Sequence, residues 1–405
     1  MLLRTDGDTA RPSQSPIAEN GALTAAAGVT AWLFGVRKKT VSLQIGGSSF
    51  QQAVLELCPT MNTPYTTYPI LNNGHVETIF AARARRTPYV QYDRTILDMP
   101  DGGKVTLDAE KANSAQGLLP HEAPVVILLP GLTGGSQDSY VQHMVVAARR
   151  EGVRAIVFNG RGTANSPVTS PQFYSASYTG DMKGVVAAVQ KEYPQSMLMA
   201  VGWSLGANIL VRYLGETRSN TPLAAAVSLC NPFNLVVADQ NFHIGFNRIY
   251  DWSLANGLRQ IFAKHSHLFY NSDKPFKPEL AANCKSIRDF DEAVTSVQFG
   301  WPTVDTYYAG SGSADSIPDV TIPLLCIQAD NDPIAPERCI PYEALQRNSN
   351  CSLVVTPGGG HLGWVSGPGA FLGAPWTNAA VAEWLAGAVK LLKKPALQMN
   401  GNTHS

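Results

Sequence analysis

SMLMAVGWSLGANILVRYLG, running from Ser196 to Gly215, reads as a buried strand, a sharp turn and a helix. The first apolar run is short and breaks at a glycine, and the second recurs with helical spacing. Between them stands Gly202-Trp203-Ser204-Leu205-Gly206, a G-x-S-x-G pattern. Alone the pattern is weak, because Gly and Ser are common residues. Its position between a strand end and a helix start is what gives it weight. On such a turn the serine hydroxyl stands clear of the sheet, and the flanking glycines allow close backbone approach. The helix behind it favours negative charge developing nearby. The competing reading is a loop serine in a glycine-rich turn.

Outward from this stretch the chain alternates between strand and helix patterns. PYVQYDRTILDM and GKVTLDAE read as two strands joined by Pro100-Asp101-Gly102-Gly103. APVVILLPG is a buried strand, SYVQHMVVAARREG a helix ending at Gly152, VRAIVFNGRG a strand and SYTGDMKGVVAAVQKEYP a helix. LAAAVSLCNP adds another strand. From about 234 to 320 the rhythm breaks into aromatic-rich, partly helical sequence (Phe242, Phe246, Tyr250, Trp252, Phe262, Phe269, Tyr270). It then resumes with IPLLCIQAD, PERCIPYEALQR, SLVVTP and VAEWLAGAVKLLKK. The pattern implies an α/β fold with a mostly parallel central sheet and helices on both faces. The interruption reads as a helical cap inserted at the C-terminal edge of the sheet, where ligands bind. Its aromatics form either a lid over an apolar acyl pocket or a small core of their own.

Composition excludes several classes. Lys+Arg 31 balance Asp+Glu 31, and charged residues make up 15 % of the 405, where about 25 % is usual. A neutral chain has no basic footprint for a nucleic-acid backbone. At 44 % hydrophobic residues it is too apolar for a disordered protein. Six cysteines, none in a CxxC pair, read as reduced and structural, which favours an intracellular location, cytoplasmic or membrane-associated. Organelle targeting stays open.

A serine hydroxyl needs a base and an orienting acid, which in this fold follow in the order Ser…Asp…His. His361 lies in Pro357-Gly-Gly-Gly-His361-Leu-Gly363-Trp364 just after the last strand, where glycines let a loop histidine reach the sheet edge. After the strand IPLLCIQ comes Ala329-Asp330-Asn331-Asp332-Pro333, which puts Asp332 in the acid's slot and leaves Asp330 as a turn former. A calcium loop on the same residues lacks a glutamate at the required offset. For the oxyanion, one backbone N–H should come from Leu205. The other should come from Leu129-Pro130-Gly131-Leu132-Thr133-Gly134-Gly135-Ser136, with Leu132 the expected donor and Thr133 the near alternative. Arg161, in Asn159-Gly160-Arg161-Gly162, reads as a structural salt bridge and Asp181 as a helix-start acid. Neither zinc-ligand nor phosphate-loop patterns occur, so no metal and no cofactor is expected.

Residues 1–65 read as an N-terminal tail, 66–392 as the catalytic domain with its cap at 234–320, and 393–405 as a C-terminal tail. Within the first of these, Gly21–Val36 is apolar and is followed by Arg37-Lys38-Lys39. It is an apolar leader or, on the sharper reading, a weak membrane anchor, since it falls short of the ~20 residues a spanning helix needs.

YPILNNGHVETIF, PGLTGGSQDSYVQH, FNGRG, GWSLGANIL, SIRDFDEAVT, YYAGSGS, NDPIAP and GGGHLGW together resemble the YheT-type (AB-hydrolase 4, embryogenesis-associated) branch of the α/β-hydrolases, from about 66 to 392. The resemblance places nucleophile, acid and base on Ser204, Asp332 and His361, as the residues themselves do. It implies an α/β-hydrolase fold and serine esterase or lipase activity on small-molecule carboxylic esters or lipids, of the short-chain carboxylesterase or acylglycerol lipase type. Two alternatives use the same scaffold: an alcohol O-acyltransferase with the same triad, and a non-catalytic ligand-binding protein.

Overall fold

The computed structural model describes residues 37–111, 117, 119–367 and 373–393. The apolar segment 21–36 and residues 394–405 lie outside them. Eleven strands are described: β1 (Arg37–Lys39), β2 (Ser42–Ile45), β3 (Tyr65–Thr67), β4 (Tyr92–Asp98), β5 (Lys104–Glu110), β6 (Val125–Leu129), β7 (Arg154–Asn159), β8 (Leu198–Trp203), β9 (Leu223–Leu229), β10 (Leu324–Ala329) and β11 (Cys351–Thr356). Nine form one sheet in the order β2-β11-β10-β9-β8-β6-β7-β5-β4. From β7 to β11 every neighbouring pair in that order is parallel. The β4–β5 hairpin pairs antiparallel with itself and with β7 at one edge, and β2 pairs antiparallel with β11 at the other.

The main helices are α1 (Ser49–Glu56), α2 (Gly74–Arg83), α3 (Ser139–Arg150), α4 (Gly180–Glu192), α5 (Leu205–Thr217), α6 (Leu235–Phe242), α7 (Asn247–His265), α8 (Val304–Ser311), α9 (Tyr342–Arg347) and α10 (Trp376–Leu392). Strand side chains alternate between two cores, as a period of two requires. In β6, Val126 and Leu128 join the core built with α1, α3 and α10. Val125, Ile127 and Leu129 join the one built with α4, α5 and α9. Both faces are therefore covered, and β6, β8, β10 and β11 are buried along their whole length. This explains why these strands read as unbroken apolar runs.

One boundary differs from the sequence expectation. Residues 37–65, expected to be part of an N-terminal tail, belong to the folded body among the described residues. β2 extends the main sheet, β1 pairs antiparallel with β3, and α1 sends Val54 and Leu55 into the core beside Trp384 and Leu385 of α10. The strand SLQI is short and mostly exposed, so it lacks the apolar run that marks the inner strands.

Arg161 is a structural salt bridge, as expected. It is fully buried, with Nε 2.8 Å and Nη2 2.6 Å from the Asp181 carboxylate and Nη1 2.5 Å from Asp101. Asp181 thus answers a buried guanidinium as well as a helix start. Gly103 is required here, because a Cβ at that position would overlap the Arg161 guanidinium. Between β9 and β10, helices α6, α7 and α8 and several shorter turns fill the interval expected for the cap. Its aromatics divide. Phe262, Phe269 and Phe290 pack with Phe173 as a separate small core, Phe242 and Phe290 line a cavity, and Phe246, Trp252 and Tyr270 are exposed.

Candidate active site

Ser204 sits between β8 and α5 at φ 52°, ψ −119°, a conformation that L side chains rarely adopt. Its neighbours make the turn possible. A Cβ on Gly202 would lie 2.6 Å from the Gly206 carbonyl, and one on Gly206 would overlap the carbonyls of Leu129 and Pro130. The Ser204 amide donates to the Leu229 carbonyl at 2.9 Å, tying the turn to β9. The hydroxyl makes no hydrogen bond to another described residue and faces a cavity of about 260 Å³.

Asp332 follows β10 and His361 follows β11, so two adjacent parallel strands deliver them to the same sheet edge. His361 Nδ1 lies 2.8 Å from Asp332 Oδ2 and 3.1 Å from Oδ1. Asp332 is held by the amides of Ile334 and Ala335, which donate to Oδ1 at 2.8 and 2.9 Å. Both side chains are buried. His361 lines the cavity that Ser204 faces. The backbone reaches this position through Gly358, Gly359 and Gly360, all at positive φ. Asp330 stands apart: its amide donates to the Thr356 carbonyl at 3.0 Å, and its carboxyl is served by the Asn331 amide and faces the charge of Lys39.

The glycine-rich loop after β6 comes close to Ser204: a Cβ on Gly131 would lie 3.3 Å from the Ser204 Cβ. Side chains fix the loop amides. Gly131 donates to the Tyr140 hydroxyl at 3.0 Å, Thr133 to the Tyr174 hydroxyl at 2.7 Å, and Gly135 to Asp138 at 3.1 Å. Thr133 is therefore committed elsewhere. Among the described residues the amides of Leu132 and Leu205 have no acceptor, and both residues line the cavity.

Sequence reasoning gave no role to a clamp supplied by α2. Glu77 accepts from the Gly359 amide at 2.7 Å, the Val365 amide at 3.3 Å and the Asn331 side chain at 3.4 Å. Thr78 accepts from the His361 amide at 2.8 Å. The Gly360 amide donates to Asn331 Oδ1 at 2.8 Å, and Arg85 donates to the carbonyls of Leu362 and Gly363. The Asp332 and His361 loops are thus gripped by α2 and by Arg85 just beyond its end. Asn73 caps that helix, accepting from the amides of His75 and Val76, and Gly74 lets it approach the Asn331 carbonyl. Burial pushes the Glu77 carboxyl up to about 7, against the opposing pull of its amide donors and Arg85. Nothing in the sequence signalled it, since Glu77 stands among His75, Thr78 and Arg83 in an ordinary mixed helix.

Cys230 completes the surroundings. Its sulfur, Asp332 and His361 offer atoms within 4.8 Å of one another, the one metal-capable grouping among the described residues. Burial pushes the Cys230 thiol well up, and all six cysteines are free and buried. The rest of the cavity is mainly apolar, with Leu235, Leu254, Leu258 and Ile261 on its cap side. Asp291 is an exception. It lies in a π-helical turn (Asp291–Thr295), accepts from the Tyr308 hydroxyl at 2.9 Å, and is pushed up to about 7 by burial.

A family model described as alpha/beta hydrolase fold matches residues 124–368. Over 332 residues the chain is 55 % identical to the embryogenesis-associated protein EMB8 of Picea glauca, covering 80 % of this chain and 73 % of that one. It is 33 % identical over 338 residues to the human phospholipase ABHD3, covering 83 % and 82 %. It is 30 % identical over 344 residues to a Saccharomyces cerevisiae monoacylglycerol lipase, covering 74 % and 76 %. No helix of the described residues is long and apolar enough to cross a membrane.

Proposed function

The chain belongs to the α/β-hydrolase family, and on that premise we propose that it cleaves carboxylic esters through an acyl-enzyme formed on Ser204. The observation that carries the reading is the 2.8 Å contact between Asp332 and His361 beside the cavity that the strained Ser204 faces. Asp332 holds the Nδ1–H tautomer, leaving Nε2 to accept the serine proton as Oγ attacks the ester carbonyl. The carbonyl oxygen becomes an oxyanion held by the Leu132 and Leu205 amides. His361 then protonates the departing alcohol, the C–O bond breaks, and the acyl group stays on Ser204. A water deprotonated by His361 attacks this second ester and releases the acid and the free serine. Losing one oxyanion donor costs about 10²–10³ in turnover.

The apolar cavity suits an uncharged acyl chain. The names of the phospholipase and monoacylglycerol lipase relatives support a lipid ester as substrate, and that of the embryogenesis-associated relative supports an ABHD-type place within the family; the acylglycerol or short-chain type and the YheT-type branch are the finer readings we propose. An intracellular site of action fits the free cysteines.

The test is an ester panel from acetyl to long-chain acyl, monoacylglycerols included, with products identified in the presence and absence of an added alcohol. Release of free acid, abolished in Ser204→Ala, is the expected outcome. Ester formed from acyl-CoA and alcohol faster than acid would move the assignment to an acyltransferase. Folded protein inert toward every ester would leave a ligand-binding scaffold.

A further inference from the structure

Helix α7 has two apolar faces. Leu254, Leu258 and Ile261 line the cavity, whereas Ile249 and Trp252 point outward, 52 % and 54 % exposed. Phe246 precedes Ile249 by one turn and Trp252 follows it by one, so the three form a single stripe. Exposed Ile244 continues it before the helix begins. On the neighbouring α2, Val76 and Ile79 are also exposed. His75 joins the two helices: its ring lies 4.9 Å from Phe246 and stacks on Tyr250 at 5.8 Å, and its Nδ1 is 3.1 Å from the Tyr250 hydroxyl. A contiguous apolar patch of this kind on a neutral chain marks an interaction surface.

Charge selects the partner. Over residues 72–86 and 243–259 the only carboxylates are Glu77 and Asp251, and both are buried. Asp251 is turned inward onto the Ile287 amide. The exposed charges on these two segments are all basic: Arg83, one turn beyond Ile79, Arg86 after it, and Arg248, beside Ile249. Arg83 and Arg248 have no carboxylate partner among the described residues. Exposed tryptophan, phenylalanine and isoleucine flanked by unpaired arginine is the chemistry of a helix lying at a lipid–water interface. We propose that the joined outer faces of α2 and α7 dock on an anionic lipid surface. Docking there would place one face of α7 on the lipid while its other face lines the cavity beside Ser204. The residues named on this surface all lie outside segment 21–36, and docking does not require that the bound lipid be cleaved.

The experiment uses the full chain and sedimentation with vesicles of phosphatidylcholine alone or with about one third phosphatidylglycerol. Wild-type protein is expected to sediment with the anionic vesicles. The double variant Ile249→Asn/Trp252→Ser should bind about ten-fold more weakly, and Arg248→Glu should weaken binding to anionic vesicles more than to neutral ones. Turnover of a water-soluble ester, measured on the same samples, reports folding and the ester-hydrolase reading separately. Wild-type protein that ignores vesicles, or a double variant that binds as well as wild type, overturns the proposal. So does a patch whose substitution changes only self-association on gel filtration, which would assign the face to a second copy of the chain.

Discussion

At the scale of single residues, the Ser204, Asp332 and His361 of the triad we propose could be picked out because each sits in a local signature. Ser204 has glycines at fixed offsets between strand and helix, and the other two lie in short loops directly after apolar strands. Leu132 was one of two candidates. The Tyr174 hydroxyl occupies the Thr133 amide, which favours Leu132 as the second donor in the oxyanion hole we propose. Glu77, Thr78 and Arg85 were not legible, since they reach the histidine loop across about 280 residues of chain. No periodicity or motif encodes such a contact. Their importance is testable through Glu77→Gln, which turns an amide donor toward the donors of Gly359 and Asn331. Turnover is expected to fall about 10–100-fold with little change in KM, because misplacing the base by a fraction of an ångström weakens the chemical step. Protonating Glu77 below about 7 should loosen the same loop, so wild-type turnover falls on the acid side more steeply than that of the variant. Equal pH profiles and turnover within two-fold would assign Glu77 no part in positioning His361.

Among the elements, the inner strands announced themselves because burial on both faces leaves no polar positions to blur the pattern. The edge did not. β2 is four residues long and mostly exposed, so residues 37–65 read as tail although they close one side of the sheet. The π-helical turn at 291–295 was equally silent, since its sequence, DEAVT, is ordinary helix composition. That turn puts Asp291 into the cavity wall with no Lys, Arg or His in salt-bridge range among the described residues. Burial raises its carboxyl to about 7, above the unfolded value of about 3.9. The folded protein therefore holds this proton more tightly than the unfolded chain does. Its contribution to stability is present at low pH and is lost as pH rises from about 4 through about 7. Urea unfolding at about pH 5 and about pH 8 should show a smaller loss for Asp291→Asn than for wild type. Matching losses would mean that Asp291 ionises normally.

For the whole molecule, low charge and exact balance gain a structural cause. A nine-stranded sheet covered on both faces consumes apolar sequence without any spanning helix among the described residues. Neutrality fits the uncharged ester we propose as substrate, which gains nothing from electrostatic steering. Local charge is nonetheless uneven, as the arginine-flanked stripe on α2 and α7 demonstrates. The parallel sheet also explains how residues 204, 332 and 361, distant in sequence, converge: β8, β10 and β11 all end at the same edge. The measurement that bears most directly on that convergence is covalent labelling by a fluorophosphonate, with the modified residue located by mass spectrometry. A single phosphonylated residue, Ser204, is expected, with labelling absent in Ser204→Ala and slowed about 10³-fold or more in His361→Ala. Labelling at another serine, or at an undiminished rate in either variant, would contradict the account.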